Sequence, residues 1–142
     1  MPRRKDTAYV RTLAIAFRAA IETADRQQLT RDFRDFPGGA CGDTSLLLGQ
    51  YLLDRGCGPF RYVEGRRGDH HHSWLQQGSL VVDITADQFP DCDEAVIVLR
   101  DGSPWHERFA GVAGDPACVS LFPNYQSELQ HAYDHVCSLI RL

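Results

Sequence analysis

His72-Ser73-Trp74-Leu75-Gln76-Gln77-Gly78-Ser79-Leu80-Val81-Val82-Asp83 is the stretch whose reading decides the fold. Two strand-forming runs flank a break containing glycine, which is the pattern of a β-hairpin. With Gln77-Gly78 as a two-residue loop, Gln76 pairs with Ser79, Leu75 with Leu80, Trp74 with Val81, and His72 with Asp83. A symmetric four-residue loop gives the same register. Directly opposed residues share a face with Cβ atoms roughly 4.5–5.5 Å apart, so the Asp83 carboxylate would hold an imidazole N–H of His72. The opposite face then carries Leu75, Leu80, Val82 and Ile84, a coherent apolar set. A three-residue loop would slip the register by one and separate the two polar groups onto opposite faces.

Working outward, further strands are expected over 60–64, 71–76, 80–85 and 94–99, with one more short strand over 105–109. Asp101-Gly102-Ser103-Pro104 reads as a turn, and 110–126 as a long loop rich in Gly, Pro and small residues. Residues 6–27 carry Tyr9, Val10, Leu13, Phe17, Ala20, Ile21 and Ala24 at helical spacing, with Arg11, Arg18, Glu22 and Arg26 mostly off that stripe. A second helix runs from Cys41 to Arg55, apolar around most of its circumference and stopped by Gly56. A third is expected over 127–142, with Ser127 as its cap and Leu129, Tyr133, Val136, Cys137 and Ile140 as its stripe. Consecutive strands with short connections imply an antiparallel sheet, so the fold class is α+β.

The bulk numbers narrow the functional classes. A chain of 142 residues is expected to form one domain, 1–142, with 1–5 disordered. Hydrophobic residues make up 43% and charged residues 24%, as in soluble globular proteins. The net charge of −4 speaks against a general nucleic-acid binder. No run of about 18 apolar residues is present, so no membrane partner is expected. The five cysteines are widely spaced and contain no CxxC pair, which suits a reducing cytoplasm. Export as an effector without a recognisable signal peptide is the alternative.

Cys41 follows Phe36-Pro37-Gly38-Gly39-Ala40 and opens the second helix. A thiol there meets the positive end of the helix dipole and backbone N–H groups without intrahelical partners, and both favour thiolate. Asp43 falls in the same first turn and can cap a free N–H. A cysteine, a histidine and a carboxylate in the order Cys41, His72, Asp83 suggest a nucleophile, its base and the group that orients the base. Such a set attacks acyl carbons. Cys41 would add to the carbonyl, His72 would move the proton, and Asp83 would fix the imidazole tautomer. The Cys41 backbone N–H is placed to hold the oxyanion. A second donor is not named, though Gln27 and Gln28 lie upstream. This chemistry needs no cofactor and no metal.

Gly38-Gly39-Ala40-Cys41-Gly42-Asp43, His72-Ser73-Trp74-Leu75 and Leu80-Val81-Val82-Asp83-Ile84-Thr85 together resemble the papain-like superfamily in its transglutaminase-like branch. That branch includes transglutaminases, arylamine N-acetyltransferases, and bacterial cysteine peptidases and deamidases. The likeness covers residues 36–89. It implies a nucleophile helix packed on an antiparallel sheet of four to five strands, with flanking N- and C-terminal helices. It also implies nucleophile Cys41, base His72 and orienter Asp83. A peptide or protein substrate would be attacked at a peptide or glutamine side-chain amide through a thioester intermediate.

Gly39, Trp74 and Gln88 are the substrate-binding candidates. Gly39 lets the backbone fold tightly beside the nucleophile. Trp74 has sheet-face packing as its competing role, and Gln88 the turn out of the strand. His106 is a reserve candidate for the base, without a carboxylate partner readable from sequence. Two other classes stay open. One is a non-catalytic module holding a peptide in the same cleft. The other is a zinc protein using His70 and His72 with Asp83 opposite.

Overall fold

The computed structural model describes residues 6–142, so the expectation of disorder over 1–5 lies outside the described residues. Helix α1 spans Thr7–Thr23 and starts where the Asp6 side chain accepts from the Ala8 N–H at 2.9 Å. Helix α2 spans Cys41–Asp54. Then come β1 (Arg61–Arg67), β2 (His70–Gln77), β3 (Leu80–Asp83) and β4 (Ile97–Leu99). Helix α3 (Pro104–Glu107), β5 (Val112–Pro116) and α4 (Gln126–Ser138) complete the chain. The five strands form one antiparallel sheet in the order β4-β3-β2-β1-β5. The α+β expectation with a sheet of four to five strands therefore holds.

Strand alternation divides the interior into two parts. Leu75, Leu80, Val82 and Ile84 face α1, α2 and α4 and form the main core with Phe17, Phe33, Leu47, Leu52 and Phe60. The opposite face carries Val63, Trp74, Val81, Phe89 and Phe109 as a second cluster, with Trp105 against it. Gly49, in the middle of α2, is explained by close packing. A Cβ there would lie 2.6 Å from both Cβ and the carbonyl oxygen of Ala117.

Several expectations are corrected. The hairpin loop is Gly78-Ser79, with Gln77 opposite Leu80, Gln76 opposite Val81 and Leu75 opposite Val82. Two-residue hairpin loops need a positive φ at their first position. Gly78 supplies it at +57°, where Gln77 would be strained. The register thus moves by two residues, which keeps His72 and Asp83 on one face but makes them diagonal neighbours.

The strand expected over 105–109 is instead α3, because Ser103 caps it and Pro104 occupies its first turn. The loop expected over 110–126 contains β5, an exposed edge strand paired with β1. Ser127 lies inside α4 rather than capping it.

Arg18 is buried. It donates to both carboxylate oxygens of Asp87 at 2.8 and 2.9 Å and to the Ile84 carbonyl at 2.8 Å. It thereby ties α1 to the chain leaving β3, just beyond Asp83.

Candidate functional site

Cys41 is the first residue of α2, so its backbone N–H has no carbonyl within the helix to bond. The approach to it needs glycine. Gly39 sits at φ +74°, a region other residues rarely adopt. Gly42 leaves room for the Tyr62 hydroxyl, which a Cβ there would meet at 3.1 Å. The Cys41 thiol is half-buried. Tyr62, reaching in from β1, feels the charge of both Cys41 and Asp43, and burial pushes its phenol pKa up. Its oxygen accepts from the Ser73 hydroxyl at 3.2 Å, which leaves the phenolic proton free to donate elsewhere. Asp43 does not cap the helix. Its carboxylate is buried and accepts from the Thr30 hydroxyl at 2.5 Å, and burial raises its pKa.

His72 and Asp83 meet directly. His72 Nε2 and Asp83 Oδ2 are 2.7 Å apart, with both side chains almost wholly buried. Oδ1 of the same carboxylate accepts from the Thr85 backbone N–H at 2.9 Å and the Thr85 hydroxyl at 3.4 Å. Burial alone would lower the His72 pKa. The hydrogen bond and charge of Asp83, reinforced by Cys41 as a hydrogen-bonding neighbour, overcome it and raise the value from 6.5 to about 9. Burial likewise opposes ionisation of Asp83, yet the N–H groups of His106 and His72 hold it well below the usual carboxylate range. His72 Nδ1 is buried and closes no well-formed hydrogen bond. His72 thus has Nε2 committed to Asp83, with Cys41 as a further neighbour of the ring.

His106 is the functional candidate that the sequence reading undervalued, since its carboxylate partner is Asp83 itself. His106 Nε2 lies 2.7 Å from the Oδ2 that also holds His72. Its Nδ1 is 2.5 Å from the Ser103 hydroxyl. The Ser103-Pro104 helix start was a signal in the sequence; the meeting with Asp83 is tertiary. Donor atoms of His72, Asp83 and His106 lie within 4.8 Å of one another, a spacing compatible with a metal. The two 2.7 Å contacts onto one oxygen are instead hydrogen-bond geometry. The zinc set expected from His70 and His72 with Asp83 does not assemble. His70 is exposed, and its ring meets Phe89 at 5.9 Å.

The rings around His72 are Trp74, Phe89, Trp105 and Phe109, with centroids 5.1–5.7 Å away. Arg67 lies over the Phe109 ring at 4.7 Å and pairs with Asp91 at 2.9 Å, covering this cluster. Trp74 is therefore buried as one wall of the enclosure around His72. Gln88 donates its amide to the Thr85 carbonyl at 3.0 Å, and Gly39 is exposed two residues before Cys41. Gln28 is engaged by His131 at 2.8 Å. A cleft of about 660 Å³ runs beside the start of α2, lined by Gln27, Thr30, Asp32, Asp43 and Glu128. Cys41 adjoins this cleft through Asp43 without lining it.

Comparison with family models, with curated proteins and with solved structures gives no match.

Proposed function

We propose that the protein is a cysteine-dependent acyl-transfer enzyme, a hydrolase or acyltransferase of papain-like, transglutaminase-like type, acting on peptide or glutamine side-chain amides. One observation carries the reading. Asp83 takes Nε2 of a buried His72, and the ring has Cys41, at a helix N-terminus, as its hydrogen-bonding neighbour.

The chemistry follows from those positions. His72 takes the Cys41 proton, and Asp83 stabilises the resulting imidazolium. The thiolate adds to the amide carbonyl. The oxyanion is held by the Cys41 backbone N–H and by the Tyr62 hydroxyl, the second donor that the sequence left unnamed. The C–N bond breaks as His72 protonates the leaving amine, and a thioester remains on Cys41. Water, deprotonated by His72, attacks that thioester; an amine in its place gives transfer. Burial of the His72–Asp83 pair favours transfer of the thiol proton onto the imidazole, since bulk water does not compete for the carboxylate.

Limited iodoacetamide labelling of the folded protein, followed by peptide mapping, tests this. Cys41 is expected to react selectively below pH 7 and to slow when His72 is replaced by alanine. Uniform slow labelling of all the thiols would point to a non-catalytic binding module. Stoichiometric zinc in the purified protein would point to a metal protein instead.

A further inference from the structure

Asp83 Oδ2 accepts two hydrogen bonds of equal length, one from each histidine. A carboxylate oxygen accepts and never donates when ionised, so His106 must carry its proton at Nε2. The Ser103 hydroxyl, buried and 2.5 Å from Nδ1, then donates to the other ring nitrogen and fixes that tautomer. Ser103 also caps α3 through the His106 backbone N–H. Ser103 thus both starts the short helix and holds the ring that meets Asp83.

We propose that His106 is a positioning residue that shares the charge of Asp83 with His72, so that the carboxylate orients the base without holding its proton too tightly. The inference rests on the reading of Cys41, His72 and Asp83 as nucleophile, base and orienter. Two donors on one oxygen each draw on the same negative charge. With His106 absent, the whole of that charge would fall on His72, and the base would release its proton to a leaving group more slowly. The ionisable groups facing Asp83 are His72 and His106, with Cys92 also feeling its charge; those facing His72 are Asp83 and Cys41.

Two substitutions separate the N–H donor from the ring. His106→Gln keeps an N–H near the Nε2 position and loses the ring. His106→Phe keeps the ring volume among Trp74 and Trp105 and loses the donor. The readout is the His72 imidazole titration by NMR, assigned through His72→Ala, together with thermal melting. His106→Phe is expected to raise the proton affinity of His72 about tenfold, the worth of one hydrogen bond to a charged group. His106→Gln is expected to stay within about threefold of the native protein, since its donor is retained.

Equal shifts in both variants, or no shift in His106→Phe, would overturn the inference. If His106→Phe fails to fold, Ser103→Ala decides: it frees the tautomer, and it should move the titration the same way by a smaller amount. An unmoved titration in Ser103→Ala would then overturn the inference. Selective iodoacetamide reaction at Cys41 with an unmoved His72 titration would sink this inference alone. Loss of that selectivity would sink the functional reading beneath it.

Discussion

Asp83→Asn is the substitution whose consequence follows most directly from the geometry. All four contacts on the Asp83 carboxylate come from donors: His72, His106, and the Thr85 N–H and hydroxyl. An asparagine must turn its own N–H₂ toward one of them. If it faces the histidines, the imidazoles lose their acceptor and no carboxylate offsets the burial of His72. The His72 pKa then falls from about 9, because burial lowers it and only the neighbouring Cys41 still raises it. The loss of a hydrogen bond to a charged group is worth about 1.5–3 kcal/mol, or roughly ten- to a hundredfold in proton affinity. At pH 6 less of the His72 imidazolium then remains beside Cys41. Alkylation of Cys41 at pH 6, followed as a pseudo-first-order rate across pH 4–10, should drop on the order of a hundredfold. Denaturant unfolding should show a loss of about 3 kcal/mol from breaking the buried pair. A variant with the native pH–rate profile would refute the assignment of Asp83 as the group that sets the base.

Stability should also follow pH through this pair. The raised His72 pKa contributes stability that is complete below 6.5 and lost as pH rises through about 9. The lowered Asp83 pKa contributes stability present above 3.8 and lost as pH falls through its folded value. Urea unfolding should therefore show a plateau between those limits, with both arms flattened in Asp83→Asn; arms unchanged by the substitution would contradict this. Tyr62→Phe should slow acylation of Cys41 by an activated ester about a hundredfold. It should leave iodoacetamide alkylation within about twofold, because that reaction forms no oxyanion; parallel losses in both would remove Tyr62 from the oxyanion site. Gly49→Ala places a Cβ against the backbone and Cβ of Ala117 at 2.6 Å and should cost about 1–3 kcal/mol, read as a melting temperature several degrees lower. A melting temperature at or above the native one would show that α2 can move away from residue 117.

The parts of this molecule that were readable from sequence are those where side-chain pattern and backbone need coincide. The apolar stripe of α1 and the alternation of Leu75, Leu80, Val82 and Ile84 specify their faces by themselves. The hairpin register shows the limit. Pattern fixes the face, and a shift of two residues leaves it intact, so only the φ requirement at Gly78 selects the loop. Strand β5 has no alternation to read, because Val112–Pro116 is exposed throughout and belongs to the sheet through backbone pairing with β1. Arg18 carries a charge that sequence reasoning turns outward; its burial depends on Asp87 and the Ile84 carbonyl, both far along the chain. His106 is similar. Its helix start was written in Ser103-Pro104, but the Asp83 oxygen it shares becomes visible only once β3 and α3 are packed together.

The most direct test of the account is acyl transfer onto the thiol itself. The folded protein is mixed with p-nitrophenyl acetate at pH 7, and nitrophenolate release is followed together with the mass of each tryptic peptide. A burst of about one equivalent, with the acetyl group on Cys41 and absent from Cys41→Ser and His72→Ala, is the expected result. Slow release without a burst, or acetylation spread over the other thiols at the rate seen at Cys41, would contradict it.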